Sequence, residues 1–207
     1  MAETLTLYTN PMSRGRIARW MLEEVGAPYE TVVLDYGTTM KGADFLAINP
    51  MGKVPTIRHG EKVVTECAAI CAYMADAFPE AGLAPALADR ADYYRWLFFA
   101  AGPVESAILS RTLGAQPTER QQQMAGFGTY EQTMDTLEMA VSRRDYVAGD
   151  RFSAADVYVG SHIGFGTRFG TIESRPAFIA YLERVTNRPN YIRATELDEA
   201  LMPKQQG

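Results

Sequence analysis

The hydrophobic period changes character once along this chain, and the change divides it into unlike halves. Up to Phe78, short stretches of period two alternate with stretches at helical spacing. Past Pro79-Glu80-Ala81-Gly82 the strand signals stop, and the remainder reads as helix. With 207 residues, 47% of them hydrophobic and 22% charged, the chain can bury a core in each half. The expected class is α/β followed by all-α. The first domain is expected over 1–80, a linker over 81–87, and an all-helical domain over 88–207.

Leu5 and Leu7 alternate with threonines, which predicts a half-buried strand over Leu5–Tyr8. After a turn at Asn10-Pro11, Ile17, Trp20, Met21 and Glu24 recur at helical spacing, and Gly26 supplies the stop. Arg19 stands four residues before Glu23, so the two are expected to pair along that helix. Tyr29 to Leu34, Val54 to Ile57 and Val63-Val64 read as further strands, with a turn at His59-Gly60-Glu61. Ile70, Tyr73, Met74 and Phe78 give a second amphipathic helix, closed by Pro79. In the second half, Tyr93 to Ala101 is apolar nearly all round, the pattern of a helix buried on most faces, with a kink at Pro103. Thr118-x-x-Gln121 forms a capping box ahead of Met124, Phe127, Tyr130, Met134, Leu137 and Val141, a stripe expected to face the core. Ser153-Ala154-Ala155-Asp156 makes a second box, with Phe152 and Val157 as its hydrophobic staple, and its role is structural.

Several chemistries are excluded. A net charge of −5 and the lack of any basic run argue against nucleic acid as a partner. His59 and His162 have no carboxylate or cysteine at ligand spacing, so no metal site is expected. Gly52-Lys53 lacks the other residues of a phosphate loop, and Gly164, Gly166 and Gly170 miss the dinucleotide spacing and read as close helix packing. Cys67 and Cys71, four apart on a helix, suit neither a redox turn nor zinc, and two cysteines are too few for a secreted disulfide framework. With no secretory signal and no membrane-length apolar run, a cytoplasmic protein without membrane contact is expected.

Three places could carry chemistry. Ser13 directly precedes the first helix and reads either as an N-cap or as a reactive hydroxyl. Arg14 and Arg16 fall in the first turn, where the helix dipole disfavours cations; either an anion shares the site or the arginines are solvated. In Asn49-Pro50-Met51-Gly52-Lys53-Val54-Pro55 a proline heads a strand, where a cis Val54–Pro55 bond would present the Val54 backbone to an extended ligand. Thr65-Glu66-Cys67 opens a helix, and reads either as an ordinary helix start or as a site for the two charged ends of an amino acid.

Across nearly its whole length the chain resembles the soluble glutathione transferases. The resemblance is carried by Leu7-Tyr8 with Pro11 and Ser13, Leu22-Glu23-Glu24, Phe45-Leu46, and Ile48 through Pro55. It continues through Thr65-Glu66-Cys67-Ala68-Ala69-Ile70 and Ala148 through Asp156. It implies a thioredoxin-like first domain (βαβ-ββα), an all-helical second domain and a homodimer. The implied reaction conjugates glutathione, as co-substrate and with no other cofactor, to an apolar electrophile. Ser13 falls where serine-type, theta-like members keep the hydroxyl that activates the glutathione thiol. Pro55 matches the cis-proline, Val54 the residue pairing with the cysteinyl part, Glu66 and Cys67 the γ-glutamyl contacts, and Lys53 and Lys41 the glycyl end. Arg14 adds positive charge nearby. The electrophile is expected between the domains, near Met12, Phe98 and Ile108. Asn10 and Arg14 stand where other classes carry tyrosine and cysteine. The rival readings are a glutathione-dependent disulfide reductase or peroxidase, and a non-catalytic glutathione-binding scaffold.

Overall fold

The computed structural model describes residues 3–202. Strands β1 (Leu5–Thr9), β2 (Glu30–Val33), β3 (Thr56–His59) and β4 (Lys62–Thr65) form one mixed sheet in the order β2-β1-β3-β4. Strand β1 runs parallel to β2, with Thr6 opposite Glu30, and antiparallel to β3, with Leu7 opposite Ile57. Parallel strands need a long crossover, here helix α1 (Gly15–Val25), whereas β3 and β4 join through the tight turn at Gly60. Helices α2 (Ala43–Leu46) and α3 (Cys67–Ala77) complete the expected βαβ-ββα order. Strand β3 starts after Pro55 rather than at Val54, because proline brings no N–H to the ladder.

The chain divides into two compact units: residues through Leu83 together with those from Arg188 onward, and residues Ala84 to Asn187. The sequence reading gave everything from 88 onward to the helical domain, but the last helix, α10 (Pro189–Ala200), packs on α1. Buried charge explains why. Arg19 is 2% exposed and donates from Nε to Asp198 Oδ1 at 2.7 Å, and Asp198 is itself 1% exposed. Arg19 therefore does not pair with Glu23 as its spacing suggested. Its Nη1 donates instead to the Tyr29 hydroxyl at 3.0 Å, and that hydroxyl donates to Glu23 Oε1 at 2.6 Å. Burial raises the Asp198 carboxyl from its ordinary value, with Arg19 opposing. Burial together with the Glu23 hydrogen bond pushes the Tyr29 phenol up to about 12. Glu24 accepts from Trp20 Nε1 at 3.0 Å and from Arg188 through two bonds of 2.7 Å, a second tie between α1 and the start of α10.

The second unit is all helix: α4 (Ala91–Phe99), a π-helical turn (Ala100–Val104), α5 (Glu105–Thr112), α6 (Glu119–Met124), α7 (Tyr130–Ser142), α8 (Ala154–Phe169) and α9 (Pro176–Thr186). Pro103 lies in the π turn, the expected irregularity, since proline cannot donate to the helical ladder. Two expectations fail here. Helix α4 is not buried on most faces, since Tyr94 is 40% and Phe98 68% exposed. The stripe after Thr118 breaks between Ala125 and Thr129 into two separately capped helices, which leaves Met124 79% exposed while Tyr130, Met134, Leu137 and Val141 are buried. Gly166 does pack closely, because a Cβ there would collide with Ile172.

The Ser153 box is the polar centre of this unit. The buried Asp156 carboxylate accepts from the Ser153 amide and hydroxyl, both at 2.9 Å, from the Val147 amide at 2.8 Å, and from the Tyr181 hydroxyl at 2.9 Å. Burial outweighs these donors and pushes the Asp156 carboxyl up to about 6 from 3.8. No described helix is long and apolar enough to cross a membrane. The described residues also hold no cluster of three or more His, Cys, Asp or Glu suited to a metal ion.

Two outcomes are expected. Arg19→Met or Asp198→Leu alone leaves a buried charge unpaired and should cost about 3–5 kcal/mol in urea denaturation, whereas the double variant should recover most of that loss. Because the folded chain binds the Asp156 proton more tightly than the unfolded one, this group's contribution is complete below about pH 4 and is lost as pH rises through about 6. The loss amounts to about 3 kcal/mol. Asp156→Asn should therefore gain stability with rising pH more steeply than wild type across that window, and identical slopes would refute the assignment.

Candidate functional site

Strand β1 ends at Thr9, and the chain turns through Asn10–Arg14 into α1. Every carbonyl of this turn has a donor. Asn10 O accepts from Ser13 N at 3.0 Å and from the Ser13 hydroxyl at 2.6 Å, and Pro11 O accepts from Arg16 Nε at 2.7 Å. Met12 O accepts from the Tyr36 hydroxyl at 3.3 Å, and Ser13 O from Arg16 N at 3.3 Å. Arg14 O accepts from Ile17 N at 3.0 Å and from Cys67 Sγ at 3.8 Å. Arg16 is thus half-buried and engaged with the loop rather than solvated.

Ser13 serves the helix start and keeps a rotatable proton. Its Oγ accepts from Gly15 N at 2.9 Å while its O–H is given to Asn10 O. Gly15 is required by space, since a Cβ there would overlap Thr9 Oγ1 and stand 2.9 Å from Ser13 Oγ. The contact from Cys67 joins this turn to the start of α3. There Glu66, exposed, takes φ 64°, ψ 120°, a left-handed backbone that a non-glycine residue adopts at a cost of ~1–3 kcal/mol and that clusters at ligand sites. Cys67 and Cys71 are both buried, and burial pushes the Cys71 thiol well above its ordinary value.

The third element is the segment Asn49–Thr56. The Val54–Pro55 peptide is cis. Among the described residues the Val54 amide and carbonyl make no hydrogen bond, and its side chain packs against Leu34, Met40 and Phe45 beside Tyr8 and Ile48. Buried Asn49 braces the turn from inside, with Nδ2 donating to Lys53 O at 2.9 Å and Thr56 Oγ1 at 3.0 Å and Oδ1 accepting from Met51 N at 3.1 Å. Gly52, at φ 56°, closes it. Lys41 Nζ donates to Gly52 O at 2.6 Å and to Met51 O at 3.3 Å, so its ammonium is spent on the loop, while Lys53 is exposed.

The structure thus brings Ser13, Arg14 and Cys67 to one end of the sheet. Met12, 61% exposed, flanks Ser13 there. Phe98 and Ile108 lie in the helical unit, the first 68% exposed and the second half-buried, so neither is a fully buried core residue. Sequence reasoning missed the structural work of Asn10, Tyr36 and Asn49. The turn chemistry of an Asn before proline was the available signal for two of them.

Residues 3–76 match the family described as the glutathione S-transferase N-terminal domain, and residues 101–189 match its C-terminal domain. Glutathione S-transferase 3 of Zea mays is 31% identical over 90% of this chain and 91% of its own length. The chain belongs to the glutathione S-transferase family. A glutathione transferase from Methylococcus capsulatus superposes with a TM-score of 0.78 at 30% identity, covering 95% of this transferase and 100% of that chain. A sphingomonad glutathione S-transferase complexed with glutathione gives 0.76 at 30% identity over 94% and 98% of the two chains.

The packing under Ser13 is testable in this transferase. Gly15→Ala forces the new methyl into Thr9 Oγ1 and should destabilise the fold by ~1–3 kcal/mol with weakened retention on immobilised glutathione. Adding Thr9→Ala removes the overlap with Oγ1 but leaves the close approach to Ser13 Oγ, and should restore part of both, measured by urea denaturation and column binding.

Proposed function

We propose that this enzyme is a serine-type glutathione transferase in which the Ser13 hydroxyl donates a hydrogen bond to the sulfur of bound glutathione and holds it as the thiolate. The observation that carries this reading is the Ser13 geometry. The oxygen is fixed by the Gly15 N–H at 2.9 Å, and the proton rests on a carbonyl that has a second donor of its own. A serine hydroxyl is far too weak a base to take the thiol proton, so its role is to donate. A free thiol near pKa 8.5 is only a few per cent ionised at neutral pH, and only the thiolate is a competent nucleophile. Lowering that pKa by about two units requires ~2.7 kcal/mol of preferential thiolate stabilisation. A charge-assisted hydrogen bond supplies most of this, and the α1 N-terminus and the Arg14 cation the remainder.

In this proposal glutathione lies extended over the first unit. The Val54 backbone pairs with its cysteinyl part, across the cis Val54–Pro55 bond. Glu66 and Cys67 hold the γ-glutamyl end, the carboxylate of Glu66 meeting the ammonium. Lys53, exposed, takes the glycyl carboxylate; Lys41 supports the same end only through the loop carbonyls it already binds. The thiolate lone pair then attacks an electrophilic carbon of an apolar substrate. A C–S bond forms and the leaving group departs with its bonding electrons, so no cofactor beyond glutathione as co-substrate takes part. Met12, exposed beside Ser13, is the side chain of the first unit proposed to meet the electrophile. The working form is a cytoplasmic homodimer.

Ser13→Ala tests the assignment. Conjugation of glutathione to chlorodinitrobenzene at neutral pH should fall about ten- to a hundredfold, the worth of one charge-assisted hydrogen bond. The ultraviolet signal of bound thiolate should vanish at the same pH. Full turnover in that variant would remove serine from the mechanism.

A further inference from the structure

We infer that Asn10 is a positioning residue for Ser13, acting through the backbone of the turn rather than by touching glutathione. The inference rests on the Ser13 reading above and extends it to the residue that holds the hydroxyl in place.

Asn10 is 6% exposed, and each of its hydrogen-bonding groups named here is used within the loop. Side-chain Nδ2 donates to Leu34 O at 2.8 Å, just beyond β2, and Leu34 N donates back to Thr9 O at 2.8 Å. Oδ1 accepts from Met12 N at 2.9 Å, closing an Asx turn. The side chain thus bolts the end of β1 to the end of β2 and folds the chain over itself. It thereby aims its own backbone carbonyl, and that carbonyl receives both Ser13 N at 3.0 Å and the Ser13 hydroxyl at 2.6 Å.

The double acceptance gives the site its working property. When the Ser13 O–H turns toward a thiolate, rotating about its Cβ–Oγ bond, the Asn10 carbonyl keeps the Ser13 amide and no acceptor is stranded. The oxygen itself does not travel, because Gly15 N–H holds it in either state and, by polarising it, strengthens the outward donor. The hydroxyl is a rotor on a fixed pivot, and Asn10 fixes the pivot. Without the Asn10 side chain the turn loses its ties to Leu34 and Met12, and Ser13 Oγ is no longer held where the sulfur arrives.

The test is a double-mutant cycle on the enzyme, reading the pH profile of kcat/KM for chlorodinitrobenzene at saturating glutathione and, by calorimetry, glutathione affinity. Asn10→Ala should raise the apparent pKa of the bound thiol by about one unit, a loss of about threefold at about pH 7 that approaches tenfold below about pH 6 and recovers as pH rises. Glutathione affinity measured near about pH 5.5, where the bound thiol is largely protonated in both proteins, should change by less than about twofold, since the residue acts on the thiolate and not on uniform binding. In a Ser13→Ala background the same substitution should change kcat/KM by less than about twofold, because nothing remains for Asn10 to position. Asn10→Ser, which keeps a local acceptor for Met12 N–H but loses the Leu34 tie, should show the same direction of shift and carries the experiment if the alanine variant does not fold. A wild-type pH profile in the position-10 variants, with Ser13→Ala impaired, would overturn this inference alone. Equal losses in both backgrounds would also overturn it, by showing that Asn10 acts independently of Ser13. An unshifted profile in Ser13→Ala itself would instead remove the underlying reading, and the inference with it.

Discussion

The turn after β1 gives each of its five successive backbone carbonyls a donor from the protein itself. Much of the site's architecture follows from how this is done. Arg16, whose charge is out of place in a first helical turn, is there because its guanidinium reaches back to Pro11 O. Tyr36 reaches across from the segment after β2, and Cys67 from the start of α3. Two of the donors thus come from distant segments, so satisfying the loop also gathers those segments around it. The apolar cluster of Leu34, Met40 and Phe45 does the corresponding work for Val54, setting it beside Tyr8 of β1.

The parts of this arrangement legible in the sequence are those with a local period or a short spacing. Leu5 and Leu7 alternate, Ile17, Trp20 and Met21 recur at helical steps, and Ser153 stands three before Asp156; each of these patterns becomes the element it indicated. The cis Val54–Pro55 bond was legible as a proline where a ladder donor is needed and through the family resemblance, not from any local period. What was not legible depends on partners far away along the chain. Arg19 has an acid four residues on, the usual signal for a helix pair, yet its partner is 179 residues distant, because burying that face of α1 makes a fully desolvated carboxylate the better match. Phe98 looked like core because hydrophobicity alone does not say which face of a helix is covered. Asn10 looked like a turn residue, which it is, but no spacing rule announces that its side chain spans to Leu34.

The two units carry their polar burdens differently. In the helical unit a single carboxylate, Asp156, gathers donors from three places in the chain and is fully satisfied. It holds Val147, the start of α8 and α9 together without any countercharge. In the first unit two buried carboxylates are paired with arginines, Asp198 with Arg19 and Glu24 with Arg188, and both pairs join α1 to α10 or to the residue that precedes it. Buried pairs of this kind contribute less to net stability than to uniqueness, since any other packing of α10 strands a charge.

Joining the final helix to the first unit also has a consequence for the order in which the protein is made. The helical unit is contiguous in sequence and can close as soon as its last residue leaves the ribosome. The unit that carries Ser13, although begun earlier, is an interrupted one. Its Arg19 emerges before the inserted helices and waits for Asp198, through their entire translation, before its charge is neutralised. The unit that carries Ser13 is thus started before the helical one and finished after it.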